Sequence, residues 1–343
     1  MWSVTGHDSA VSYFRHAVAN NKLGHAYLIS GRRQLGKKTL AIALAQSLKC
    51  RKKDSPCGVC ETCARISSLK HPDVHFVALG TGSHSEDARL ATEISIKQIR
   101  EDIQHWSSLP AFEDGARVFI IDDVEFLSTE ASNSLLKTLE EPTNGVFFVL
   151  LSCQHELLPE TVVSRCQCLE LKPVAIGKIR DALIEKGVPE EKASLLGRLS
   201  RGCPGWAFAV ASDDSVLVNR SRDINKWIEV LCGTINERFE YSATLSTRFT
   251  QSRAEVFALL ALLLDMWRDF VLLIAGQDYG LTNIDFVDEM RLLVGSMTLG
   301  DVRRGINAVI FATTCLRRNA NPKLALDVLM LDMPVVRNVP ACA

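Results

Sequence analysis

The sequence predicts an α/β fold: a parallel sheet covered by helices, followed by two helical domains. Three observations carry this. Short β-branched runs alternate with helical patterns up to about residue 172, a glycine-rich loop stands between the first strand and the first long helix, and strand signals stop after Pro173. In order, Ala26-Tyr27-Leu28-Ile29-Ser30 is an apolar strand running into Gly31, and Lys38 to Leu48 carries alanine and leucine at helical spacing. Further strands are expected at 74–78, 118–121 and 146–151, with helices over 96–106 and 129–140 between them. Such alternation implies crossover connections and therefore parallel pairing. Residues 176–186 and 190–199 then read as two short helices separated by Gly187-Val188-Pro189, and from about 211 onward the apolar periodicity is helical throughout. The expected division is 1–172, 173–210 and 211–343.

Composition bounds the function. The 343 residues are 47% hydrophobic, ample for packed cores, and 39 Lys+Arg against 40 Asp+Glu leave a formal charge of -1. A chain so balanced is not a polybasic binder of nucleic acid or membrane as a whole. The N-terminal residues show no basic segment leading into an apolar run, so a cytoplasmic protein is expected. The apolar run 256–275 is broken by Asp265, Arg268 and Asp269 and reads as a buried helix, not a membrane span.

Three motifs carry chemistry. Gly31-Arg32-Arg33-Gln34-Leu35-Gly36-Lys37 satisfies G-x-x-x-x-G-K between a strand and a helix, where backbone N–H groups cradle phosphates and Lys37 reaches their oxygens. The next position calls for a hydroxyl to ligate magnesium and holds Lys38, with Thr39 one residue later. The apolar strand 117–121 ends in Asp122 and Asp123, where the first acid could hold magnesium through water and the second could orient an attacking water. Cys50, Cys57, Cys60 and Cys63 form C-x6-C-x2-C-x2-C, a spacing that brings four thiolates to one tetrahedral, structural zinc. Arg51, Lys52 and Lys53 flank the first of them and favour its thiolate. The other seven cysteines are dispersed and read as packing residues.

After the acidic strand comes Ser132 to Pro142 (SNSLLKTLEEP), and after the next strand Leu157-Leu158-Pro159 and Ser164-Arg165-Cys166-Gln167. With Leu23 to Leu28 (LGHAYL) before the loop and Asn319 to Leu326 (NANPKLAL) near the C-terminus, these resemble the clamp-loader branch of the AAA+ ATPases, which serve the bacterial DNA polymerase III holoenzyme. The resemblance implies an AAA+ P-loop domain with a four-cysteine zinc module at 50–63, a helical lid and an all-α collar that joins a circular hetero-pentamer. It implies gamma/tau and delta subunits as partners, a sliding clamp, primer-template DNA met through the assembly, and no membrane. It also implies that Arg165 is an arginine finger, reaching the γ-phosphate held by a neighbouring subunit.

The chain departs from the motor subunits of that family at three places: Lys38 for the hydroxyl, Asp123 for a glutamate, and Gly205 where a lid arginine would fall in 202–207. The expectation is a non-motor subunit with a degenerate site formed by Gly31, Gly36, Lys37, Thr39, Asp122 and Asp123, where binding of ATP and magnesium stays open. Two alternatives remain at this point: a hydrolysing gamma/tau-type ATPase using Thr39 and Asp123, and a zinc-dependent DNA-binding module.

Overall fold

The computed structural model describes residues 2–52, 55–80, 93–113 and 115–336. In chain order the elements of the first half are α1 (Asp8–Ala19), β1 (Ala26–Ser30), α2 (Lys37–Lys49), α3 (Glu61–Ser67), β2 (Val74–Val77), α4 (Ile96–Ile99), α5 (His105–Ser107), β3 (Arg117–Ile121), α6 (Thr129–Glu140), β4 (Val146–Ser152), α7 (Glu160–Val163) and β5 (Gln167–Glu170). The helices of the second half are α8 (Ile176–Glu185), α9 (Glu190–Leu199), α10 (Pro204–Ala211), α11 (Ser215–Cys232), α12 (Ile235–Gln251), α13 (Arg253–Ile274), α14 (Val287–Val294), α15 (Leu299–Arg317) and α16 (Pro322–Asp332). The chain divides into two compact units, one of residues 1–186 with 202–207 and one of 187–201 with 208–343.

The first unit holds a five-stranded sheet in the order β2-β3-β4-β1-β5, every pairing parallel. Its central strands are apolar on both faces because each face meets its own core. Tyr27 and Ile29 of β1, Val118 and Ile120 of β3, and Val149 and Leu151 of β4 pack with Phe14, Leu40 and Leu44. Their neighbours Ala26, Leu28, Phe119, Ile121, Phe148 and Leu150 pack with Ile99, Ile103, Leu135 and Leu139. At about 1.5–3 kcal/mol for each large apolar side chain removed from water, these two cores hold the strand ends in fixed register. The helix expected over 96–106 is present in three pieces, with a π-helical turn at Arg100–Gln104 between α4 and α5.

The second unit is helical. Arg238 of α12 is 2% exposed, and its guanidinium donates to the carbonyls of Val230 and Leu231 at the end of α11 and of Met330, Met333 and Pro334 around the end of α16. A cation at two helix C-termini meets the negative ends of both dipoles, which offsets the cost of burying it. Asp269 on α13 is wholly buried and accepts from the backbone of Thr282 and Asn283 and from the Asn283 side chain. The apolar run 256–275 therefore lies in a packed core helix. Among the described residues no helix is long and apolar enough to cross a membrane.

Candidate nucleotide loop and metal site

The loop between β1 and α2 is shaped by residues with φ above zero: Gly31 at 145°, Gln34 at 61° and Gly36 at 101°. A Cβ on Gly31 would lie 2.7 Å from the Leu171 carbonyl oxygen, so no larger residue fits there. His7 donates from Nε2 to the Leu35 carbonyl at 2.8 Å, and Gly205 donates its N–H to the Gln34 carbonyl at 2.9 Å. A Cβ on Gly205 would come within 2.8 Å of that same oxygen. The position where a lid arginine would fall is thus pressed against the loop backbone, with space for glycine alone.

Lys37 is 6% exposed and its ammonium is turned onto the loop itself. It donates to the Gly31 carbonyl at 2.6 Å, the Arg32 carbonyl at 2.9 Å and the Cys153 sulfur at 3.2 Å, using all three protons. Lys38 is exposed and its ammonium stands over the Phe76 ring, 3.9 Å from the centroid, while Thr39 is exposed one residue further along α2. Asp122 immediately follows β3 and accepts the N–H of Asp123 at 3.0 Å, Asp123 itself being left-handed at φ 55°. Burial and the adjacent Asp123 charge raise the Asp122 carboxyl above the ordinary carboxylate range, with the charges of Lys37 and Lys38 acting against them. The loop, the lysine and the acidic strand end are therefore gathered at the C-terminal ends of the sheet's inner strands.

A residue that the sequence reading passed over lies there as well. Glu125 accepts the Ser152 hydroxyl at 2.8 Å and the Cys153 N–H at 3.1 Å, tying the turn after β3 to the end of β4 beside Lys37. Its one sequence signal is an acid two positions after the acidic pair.

Arg165 follows α7. Its guanidinium is 2.5 Å from the Glu140 carboxylate and donates to the Thr161 carbonyl at 2.8 Å. Its partners among the described residues are on α6 and α7, not on the loop of its own chain. Burial, then Cys168, pushes the neighbouring Cys166 thiol up to about 12.

The cysteine site sits at the other end of α2. Cys50 follows its last residue, Cys60 caps α3 by accepting the Cys63 N–H, and Cys57 lies on the turn before it. The sulfurs of Cys50 and Cys60 are 4.0 Å apart, those of Cys57 and Cys63 3.9 Å, and all four lie within 4.8 Å of one another. A zinc–sulfur bond of about 2.3 Å requires tetrahedral sulfurs roughly 3.8 Å apart, so the four thiols could hold such an ion. The N–H groups of Val59 and Cys60 hold the Cys57 thiol down at about 6, whereas burial pushes Cys63 up to about 12. Arg51 and Lys52 are exposed beside Cys50, and Lys53 lies outside the described residues. Of the dispersed cysteines, Cys153, Cys166, Cys168 and Cys315 are free thiols. Cys232 is disulfide-bonded, which departs from its reading as a packing thiol, and Cys342 lies outside the described residues.

Buried ion pairs fix this site to the sheet. Asp73, at the start of β2, accepts from Lys49 at 2.8 Å, from the N–H groups of Phe112 and Glu113, and from Arg117 at 3.3 Å. Lys49 immediately precedes Cys50, and Gln46 one turn earlier donates to the Cys63 carbonyl at 2.9 Å.

Over 92% of both chains, the sequence is 29% identical to the DNA polymerase III subunit delta' of Bacillus subtilis. Along most of its length the chain is thus similar to a DNA polymerase III subunit. The family profile described as DNA polymerase III, delta subunit, matches residues 6–175, which span the loop, the cysteines and Arg165. The tau subunit of Escherichia coli is 28% identical over 68% of this chain, which spans 36% of that subunit's length. Among solved structures, a DNA polymerase III gamma subunit-related protein of Thermotoga maritima is 16% identical, with a TM-score of 0.46 over 93% of this chain and 98% of that one. The first unit is thus a parallel five-stranded sheet with a glycine loop after β1, followed by a helical C-terminal region.

Proposed function

We propose that this chain is a passive, delta'-like subunit of a clamp loader, one that stabilises the ring and donates Arg165 in trans to ATP on a neighbouring motor subunit. Its partners on this reading are gamma/tau- and delta-type subunits in a hetero-pentamer, with the sliding clamp and primer-template DNA met through that assembly, in the cytoplasm. The observation that carries the reading is the surroundings of Lys37, whose three protons are taken up by two loop carbonyls and a sulfur. Lys38 supports it, since an ammonium cannot ligate magnesium, and so does Gly205, which leaves no room for a lid arginine. We take 1–172 as the AAA+ domain, 173–210 as the lid and 211–343 as the collar. The exposed apolar row Leu324, Val328, Leu331 and Val335 along and just beyond α16 suits association through the collar. The cysteine site is read as structural zinc, because four thiolates leave no open position for water or substrate.

Arg165 has the chemistry the role needs. Its charge is fixed, and its planar fork matches phosphate oxygens bidentately, where a lysine would act as a point charge. Arginines supplied in trans raise phosphoryl-transfer rates by about 10³–10⁵ in GTPases. The test is steady-state ATP hydrolysis by the chain alone and mixed with a gamma/tau-type subunit, with Arg165 and with Arg165→Ala. Silence alone and Arg165-dependent turnover in the mixture are expected. Turnover by the chain alone that is abolished by Lys37→Ala and indifferent to Arg165 would overturn the reading and make this a motor.

A further inference from the structure

The guanidinium of Arg165 is already engaged within its own chain. Nη2 lies 2.5 Å from Glu140 Oε1, and Nη1 donates to the Thr161 carbonyl at 2.8 Å and to the Ser164 hydroxyl at 3.4 Å. Glu140 is the last residue of α6, and Glu141 is its C-cap. A carboxylate at a helix C-terminus faces the negative end of the dipole, a placement that costs about 0.3–1 kcal/mol. Two acids at that end create a negative potential, and Arg165 is the cation that meets Glu140 there. The pair is open to solvent, Arg165 at 34% and Glu140 at 48% of side-chain exposure. Screening therefore keeps its strength to at most about 1 kcal/mol, and a stronger acceptor can displace it.

We infer that Glu140 is a positioning residue that holds Arg165 in cis, masks its charge, and yields it to the γ-phosphate of nucleotide on the neighbouring subunit. The inference rests on the reading of Arg165 as a trans finger. A terminal phosphate carries more charge than one carboxylate and presents several oxygens to the fork, so the exchange favours phosphate while it is present and reverses when it leaves. Thr161 and Ser164 keep Nη1 anchored on α7 and its following turn, so that release of Glu140 frees Nη2 without unfolding the segment that carries the arginine.

The experiment titrates the full chain into a fixed concentration of a gamma/tau-type subunit with saturating ATP, and reads the plateau rate and the half-stimulating concentration separately. Glu140→Ala is expected to raise the plateau about two- to fivefold, the range a contact of up to about 1 kcal/mol allows. Glu140→Gln, which keeps an acceptor oxygen but not the charge, is expected to give a smaller rise. Half-stimulation should stay where it is, because the latch acts on the arginine and not on assembly. The gain must vanish when Arg165→Ala is added. A purely structural role for the end of α6 would move the half-stimulating concentration or the thermal midpoint and would not raise the plateau. A plateau that is unchanged or lowered in both Glu140 variants overturns the latch while leaving the finger intact. A gain that persists in the double variant overturns it too. If Arg165→Ala alone leaves the plateau untouched, the finger reading fails, and the latch with it.

Discussion

The glycine loop and the cysteine site occupy opposite ends of one helix, α2, and differ in how the chain fills each of them. At the C-terminal end, Cys50, Cys57, Cys60 and Cys63 converge within 4.8 Å, a full ligand set from a single stretch of chain. At the N-terminal end, the helix presents the positive end of its dipole with no acid in the first turn, and Arg32, Arg33, Lys37 and Lys38 add four cations. The Gly31 and Arg32 carbonyls and the Cys153 sulfur hold Lys37, the Phe76 ring faces Lys38, and the carboxyl of Asp122 feels both charges. A metal site built from adjacent residues is self-sufficient. On the function proposed above a phosphate site is not, because its magnesium ligand and lid residue would come from positions that this sequence has filled with Lys38 and Gly205.

Removing one thiol should have the largest effect. Structural zinc in small finger peptides supplies about 10–16 kcal/mol of apparent folding free energy, and the segment from Cys50 to α3 has few large apolar side chains to substitute for it. Cys63→Ser is expected to abolish metal binding and to lower the thermal midpoint of the first unit strongly, while any nucleotide binding at the other end of α2 falls only as the unit unfolds. Metal content by atomic absorption beside a melting curve checks this. A variant that retained one zinc per chain, or lost the metal with no shift in midpoint, would break the contrast between the two ends.

Next in size is the ion cluster behind the cysteines. Asp73 is wholly buried against Lys49 and Arg117, and removing one partner of such a set strands a charge at a cost of about 3–5 kcal/mol. Burial alone would raise the Asp73 carboxyl, but the Lys49 ammonium and the N–H groups of Glu113 and Phe112 outweigh it and bring it down to about 2. Since the folded chain binds that proton more weakly than the unfolded one, the stabilisation is fully present above pH about 4 and is lost as pH falls from there toward 2. Asp73→Asn should lower stability at neutral pH by a few kcal/mol and flatten the acid limb between pH 4 and 2 in a series of denaturant melts. An acid limb unchanged in the variant would remove Asp73 as its origin.

What the sequence made legible follows from how local each feature is. The strands 26–30, 118–121 and 146–151, the loop and the four cysteines are set by neighbours within a turn or two, and the structure shows each of them where the pattern pointed. The grip of Lys37 on the Gly31 and Arg32 carbonyls, the approach of Gly205 to Gln34, the bonds of Glu125 to β4 and the pairing of Arg165 with Glu140 depend on how the chain folds back on itself. No periodicity records them. The π-helical turn at 100–104 escaped for a different reason, since its apolar spacing is that of an ordinary helix. Arg238 likewise looks like a surface arginine of α12 until the ends of α11 and α16 are folded around it.

The smallest expected effect on stability is also the one that sharpens the contrast most. Lys38→Thr removes an exposed ammonium from the Phe76 ring, a contact of about 0.5–1 kcal/mol, so the melting curve should hardly move. The same change places a hydroxyl where magnesium needs a ligand, and it takes one positive charge away from Asp122. Affinity for Mg·ATP is therefore expected to rise, and the rise should disappear when magnesium is chelated. Calorimetric titration of the wild-type chain and the variant, each with and without EDTA, reads both quantities. If the gain appears and is magnesium-dependent, the loop lacks a ligand and little else. If neither affinity nor magnesium dependence changes, the closure of Lys37 onto its own loop, braced by Gly205 against Gln34, is what keeps the N-terminal end of α2 from functioning as a nucleotide site.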